Sequence, residues 1–150
     1  MSAHSLHMRR AMELAKMQAG RTAPNPSVGC VILDREGLKI SEAATGDGGR
    51  PHAEELALSR LPVGAAAGGT AYVTLEPCRE RSGGTASCSQ RLIDAGVAKI
   101  IIATRDPHPL GSGGLTRLRE AGLQVELGPL RVEADEFYEE FFDSVHENES

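Results

Sequence analysis

From Thr70 to Leu127 short apolar runs alternate with helix-forming segments: TAYVTLE, SQRLIDAG, KIIIATR, GLTRLREAG and LQVEL. The apolar runs are too short for helices and carry the continuous Val/Ile character of buried strands. The two segments between them show helical spacing and stop at Gly96 and Gly122, where glycine ends helices readily. Strands alternating with helices in this way call for an α/β layered sheet. That is the strongest constraint the chain carries, because such sheets place ligands outside the carboxyl ends of their strands. The junction between TLE and Pro77-Cys78 is such a place.

The remaining segments fit the same architecture. Met8, Ala11, Met12, Ala15 and Ala19 fall on one helical face, and Gly20 is a plausible stop. TAPNPS is a loop, SVGCVIL a buried strand, DREG a turn, and LKISEAAT a more alternating strand. After the Gly-rich loop GDGGRP, HAEELALSRL reads as a helix with Leu56, Ala57 and Leu61 facing inward. The tail, about 129–146, reads as helical and acidic, with Phe137, Phe141 and Phe142 placed to dock it. With no internal repeat, the 150 residues make one domain, 1–150.

Composition removes several classes of function. A net charge of −5 disfavours a partner held by phosphate neutralisation, and 3% aromatics cannot build a stacking platform for single strands. No run is long enough to span a bilayer, and the first twenty residues lack the apolar core of a signal peptide. The expected location is therefore the cytoplasm, a reducing compartment. Three cysteines are also an odd count for a disulfide framework.

The cysteines are better read through their neighbours. Ser87-x-x-Gln90 has the form of a capping box, which puts Cys88 in the first turn of a helix, where the helix dipole favours thiolate. Cys78 follows a strand and Pro77, so both cysteines can lie at one edge of the sheet. His52 begins another helix after a strand and could reach the same edge. Three protein ligands and one open position are the pattern of catalytic zinc. Taken singly, each residue also has an ordinary reading, His52 as a polar cap and the cysteines as small buried side chains. The triplet His52-Ala53-Glu54 separates the readings: H-x-E followed by Pro-Cys is the zinc deaminase signature, although Cys78 and Cys88 are farther apart than its usual spacing. Glu54 then has the role of a carboxylate near the metal's water but off the metal. Cys30, in the middle of SVGCVIL, reads as a small buried hydrophobe.

These motifs resemble the cytidine deaminase-like superfamily, and within it the deaminase domain of riboflavin biosynthesis, the diaminohydroxyphosphoribosylaminopyrimidine deaminases. The resemblance rests on MRRAMELA, TAPNPSVGCVIL, PHAEELAL, GTAYVTLEPC, Cys88, LIDAGVAKIIIATRDPHPL and GLTRLREAGLQVELG, and runs from Met8 to Gly128. It implies a three-layer α/β/α sandwich around a central five-stranded mixed sheet. It implies one Zn2+ per chain on His52, Cys78 and Cys88, with Glu54 as proton shuttle. It implies substrate contacts from Asn25 and Asp106, for which the ordinary reading is a turn residue before proline. The implied reaction is hydrolytic deamination of a phosphoribosylated diaminopyrimidine, releasing ammonia.

Two loops depart from the family pattern. The stretch before PHAE is ATGDGGR, without the family's histidine, and the stretch between the cysteines is RERSGGTAS, one residue longer than usual. Arg79 or Arg81 could meet a ribose phosphate there, or could be solvated surface charges. The run GSGG, Gly111 to Gly114, offers backbone N–H groups to a phosphate or is a plain connector. These departures keep two alternatives open: deamination of another nucleobase, nucleoside or tRNA adenosine, and a zinc-stabilised binding domain without catalysis. The resemblance further implies a homo-oligomer, commonly a dimer; in bifunctional members a reductase domain follows, and because this chain ends before one could begin, the expectation is a stand-alone deaminase with a possible separate reductase in the pathway.

Overall fold

The computed structural model describes residues 3–23, 25–78, 87–107 and 113–143. Five strands form one sheet in the order β2-β1-β3-β4-β5. The strands are β1 (Gly29–Leu33), β2 (Lys39–Ala44), β3 (Thr70–Leu75), β4 (Lys99–Thr104) and β5 (Gln124–Leu127). β1 runs antiparallel to both neighbours, with Gly29 opposite Ala44 and Cys30 opposite Val73. β3, β4 and β5 are mutually parallel. The sheet is mixed because a short turn can join β1 to β2, whereas β3, β4 and β5 are joined by crossover helices.

Helices α1 (Ala3–Gln18) and α5 (Arg131–Phe137) cover one face, and α2 (Ala53–Ser59), α3 (Cys88–Asp94) and α4 (Gly114–Glu120) cover the other. The two-residue period of a strand divides the core accordingly. Ile100 and Ile102 join Cys30, Ile32, Val73, Leu92 and Leu118 on the α2–α4 side. Ile101 and Ala103 join Val31, Tyr72, Met8, Met12 and Tyr138 on the other. This is the expected three-layer arrangement. Gly29 sets the distance of α1 from the sheet: a Cβ there would lie 1.8 Å from the Ala11 carbonyl oxygen.

Three details differ from the sequence reading. α1 ends at Gln18, so Ala19 is exposed and outside the helix. On α2 the fully buried residues are Ala53, Glu54 and Ala57, while Leu56 and Leu61 pack only at the margin of the core. The tail is not one continuous helix. Tyr138 leaves helical geometry at φ −94°, ψ 6°, and a further helical segment covers 139–143. The reason is packing: Tyr138 is the buried aromatic of the tail, and the three phenylalanines lie partly buried around it. Residues 144–146 of the expected tail lie outside the described residues.

Candidate active site

The site gathers at the edge where β3 and β4 end and β1 begins. β3 delivers Glu76, Pro77 and Cys78 straight from its buried run. α3 delivers Cys88 in its first turn, with Ser87 as N-cap. Ser87 Oγ accepts from Gln90 N at 3.1 Å, as the capping reading expects. The reciprocal half of the box is absent: the Gln90 side-chain amide donates instead to Asp94 Oδ1 at 2.8 Å. α2 delivers His52 at its N-cap position and Glu54 within its first turn.

His52, Cys78 and Cys88 converge, with their donor atoms all within 4.8 Å of one another. His52 Nδ1 lies 3.2 Å from Cys88 Sγ. Around a tetrahedral zinc, N···S and S···S separations come to about 3.5 and 3.8 Å, so this donor set fits that ion in geometry and in chemistry. None of the three cysteines is in a disulfide. Hydrogen bonds from Cys88 and then His52 hold the Cys78 thiol down to about 4, against the opposing effect of burial. That favours the thiolate form, the form that binds a metal. Cys30 lies outside the cluster, buried in β1. Burial first, and then the Glu54 charge, push its thiol well up, as suits a small core side chain.

The Cys78 turn is fastened to α3 by three further contacts. Cys88 N donates to Cys78 Sγ at 3.1 Å, and Ser89 donates to the Cys78 carbonyl through both N, at 3.1 Å, and Oγ, at 2.8 Å. Orienting contacts of this kind fix ligands and tune the metal they bind. Ser89 was not legible in the sequence, because nothing in CSQ distinguishes it from an ordinary first-turn serine.

Glu54 is 4% exposed and not a member of the donor cluster. Burial pushes its carboxyl up to about 7, with the Cys78 charge acting in the same direction and its own backbone N–H opposing. A carboxyl poised near neutrality beside a metal centre is suited to taking up and giving back a proton.

The expected substrate contacts fare unequally. Asn25 lies at this edge, where its Nδ2 donates to the Gly49 carbonyl at 3.1 Å and ties the TAPNPS loop to the loop before His52. Gly49 has φ +93°, and a Cβ there would stand 2.5 Å from Asn25 Nδ2, so only glycine permits the contact. Asp106 follows β4 and donates its N–H to Glu76 Oε1 at 3.1 Å. Arg79 and Arg81 lie outside the described residues, as do Gly111 and Ser112 of the GSGG run. The Gly113 N–H is already bonded to Glu76, which removes it as a phosphate donor.

Two buried residues escaped the sequence reading. Glu76 accepts from the backbone N–H groups of Asp106, Gly113 and Leu115, which no local pattern in the sequence announces. Tyr138 reaches Thr74 and Ser27 with its hydroxyl, and no local pattern marked it.

Residues 1–104 match the family model described as the cytidine and deoxycytidylate deaminase zinc-binding region. The chain is 41% identical over 137 residues to the diaminohydroxyphosphoribosylamino-pyrimidine deaminase of Buchnera aphidicola, covering 91% of each. It is 42% identical over 137 residues to the riboflavin biosynthesis protein RibD of Aquifex aeolicus, covering 91% of this chain and 38% of that one. Among solved structures it is similar to a diaminohydroxyphosphoribosylaminopyrimidine deaminase/5-amino-6-(5-phosphoribosylamino)uracil reductase of Thermotoga maritima. The TM-score is 0.85 at 35% identity, over 97% of this chain and 42% of that one. The chain thus spans about two fifths of the length of these last two relatives.

Proposed function

This chain belongs to the cytidine and deoxycytidylate deaminase zinc-binding family, and we propose that it hydrolyses the exocyclic amine of a phosphoribosylated diaminopyrimidine in riboflavin biosynthesis. The observation that carries the reading is the buried Glu54 beside the convergent His52, Cys78 and Cys88. Similarity to the Buchnera deaminase along nearly the whole of both chains supports the choice of substrate.

A zinc ion held by His52, Cys78 and Cys88 would supply an acidified water at neutral pH. Glu54 would take up a proton from the attacking water and give it to the ring nitrogen of the substrate. The C–N bond then breaks. Glu54 would carry the proton of the added hydroxyl to the departing amine, so ammonia leaves and the ring carbon keeps a carbonyl. Water is consumed, and no oxidant or reductant is needed. Asn25 and Asp106 take part in this reading as substrate contacts, with Arg79 and Arg81 on the phosphate. The product would pass to a reductase, and the chain would act as a homo-oligomer, which light scattering on the zinc-loaded protein tests. No helix among the described residues is long and apolar enough to cross a membrane.

The test is ammonia release by the zinc-loaded protein, offered the diaminopyrimidine ribose phosphate beside cytidine, cytosine, guanine and adenosine. Turnover of the first compound is expected. Turnover of another with none of the first would overturn the substrate while leaving the zinc chemistry. In Glu54→Gln, zinc should stay bound while turnover falls by about 10²–10⁴-fold, the usual weight of general acid–base catalysis. An unchanged rate would sink the catalytic reading.

A further inference from the structure

Glu76 sits two residues before Cys78, with its side chain fully buried. A buried carboxylate is costly unless its lone pairs are used, and here they are spent in two directions. Oε1 accepts from Asp106 N at 3.1 Å and faces Arg105 Nε at 3.7 Å. Oε2 accepts from Gly113 N at 3.1 Å and Leu115 N at 2.9 Å. One carboxylate therefore grips the chain where it leaves β4 and again where it enters α4. Close packing seals the second grip: a Cβ on Gly114 would lie 1.8 Å from the Pro77 carbonyl oxygen. The backbone of Glu76 adds a bond of its own, from its N–H to Thr104 O at 2.9 Å.

We propose that Glu76 is a positioning residue, whose carboxylate holds the residues leaving β4 and those entering α4 against the Cys78 turn and so sets Asp106 for substrate. The proposal rests on the reading of Asp106 as a substrate contact. The chemistry requires a carboxylate of this length. Glutamine presents one oxygen and one NH2, so whichever way it turns, an NH2 opposes a backbone N–H on one arm. Aspartate loses a methylene and cannot reach both arms.

The experiment compares zinc-loaded wild type, Glu76→Gln and Glu76→Asp. In both variants KM for the diaminopyrimidine phosphate should rise roughly tenfold with kcat changed far less, the signature of lost substrate positioning. Zinc content should remain at one per chain. A role confined to stability would lower the folded yield and leave KM of the folded protein unchanged, and that result overturns the proposal. Loss of zinc, or full recovery of KM by Glu76→Asp, also overturns it.

Amide hydrogen exchange provides a reading independent of the substrate assignment. In Glu76→Gln the amides of Asp106, Gly113 and Leu115 should lose protection while those of Cys88 and Ser89 keep theirs. Unchanged protection of the first three refutes the grip, even if wild type proves inactive on the proposed substrate. Should the variants fail to fold, the three wild-type amides decide the matter by exchanging through one common opening. Unrelated opening rates would refute the proposal.

Discussion

Tyr138→Phe removes one oxygen from the interior, and the structure says what that oxygen does. The Tyr138 hydroxyl donates to the Ser27 carbonyl at 2.7 Å. Its one proton is thereby committed, so at the 2.6 Å contact with Thr74 Oγ1 the threonine is the donor. Thr74 Oγ1 in turn accepts from Gly29 N at 3.0 Å. The chain of bonds joins the tail to β3 and to the start of β1, and Tyr138, Thr74 and Ser27 are all at most 6% exposed. Phenylalanine leaves two buried groups without a partner, the Thr74 hydroxyl proton and the Ser27 carbonyl. At about 1–3 kcal/mol for each orphaned group, partly relieved by relaxation, the expected loss is about 2–4 kcal/mol.

Thr74→Val strands the Gly29 N–H instead and should cost about 1–3 kcal/mol. The double variant is the sharper test. The Thr74 hydroxyl that Tyr138→Phe orphans no longer exists once Thr74→Val is added, so the double loss should fall short of the sum by about 1 kcal/mol or more. Urea unfolding of the zinc-loaded proteins, with unchanged slopes, measures all four corners of the cycle. A Tyr138→Phe loss under about 0.5 kcal/mol, or strict additivity in the cycle, would refute the assigned bond directions.

Two further perturbations test other parts of the scaffold. Gly29→Ala drives a Cβ to 1.8 Å from the backbone of α1 and should destabilise by about 1–3 kcal/mol or more, seen as a lower urea midpoint; a stability equal to wild type would mean that α1 is free to shift. Glu42 is held below the ordinary carboxylate range, first by its hydrogen bond with Arg10 at 2.7 Å and further by Lys39, with burial opposing. Its contribution is therefore present above the unfolded carboxylate value of about 4.3 and is lost as pH falls through the lower folded value. The Tm gap between wild type and Glu42→Gln should be widest near neutrality and close in acid, and a gap independent of pH would contradict the pairing.

What the sequence could disclose depended on how local the physics was. β4 was legible because KIIIAT needs no information beyond its own six residues, and the same holds for the Ser87 cap on α3. The cluster of His52, Cys78 and Cys88 was legible although its members are far apart, because His52-Ala53-Glu54 and Pro77-Cys78 each carry a local pattern with a chemical meaning. Glu76 was not legible, because its partners are backbone N–H groups some thirty to forty positions later, and a backbone donor has no sequence. Tyr138 was hidden for a similar reason. Three phenylalanines promised to anchor the tail, but the position that goes fully inside is the one whose hydroxyl finds Thr74 and Ser27. Gln90 had the right type for a capping box, and its side chain was drawn to Asp94 and Arg117.

The antiparallel pairing of β1 with β3 also carries an entropic cost. Cys30 meets Val73 only when a loop of about forty residues has closed, an entropic cost that must be met before the contact is gained. His52 rides inside that loop, Cys78 lies just beyond its end, and Cys88 waits on the next helix. Cys78 and Cys88 can meet through their local turn, whereas His52 joins them across the sheet. A zinc ion held by these three donors would therefore stabilise the closed sheet as well as serve the site, because its binding free energy is spent on holding distant segments together.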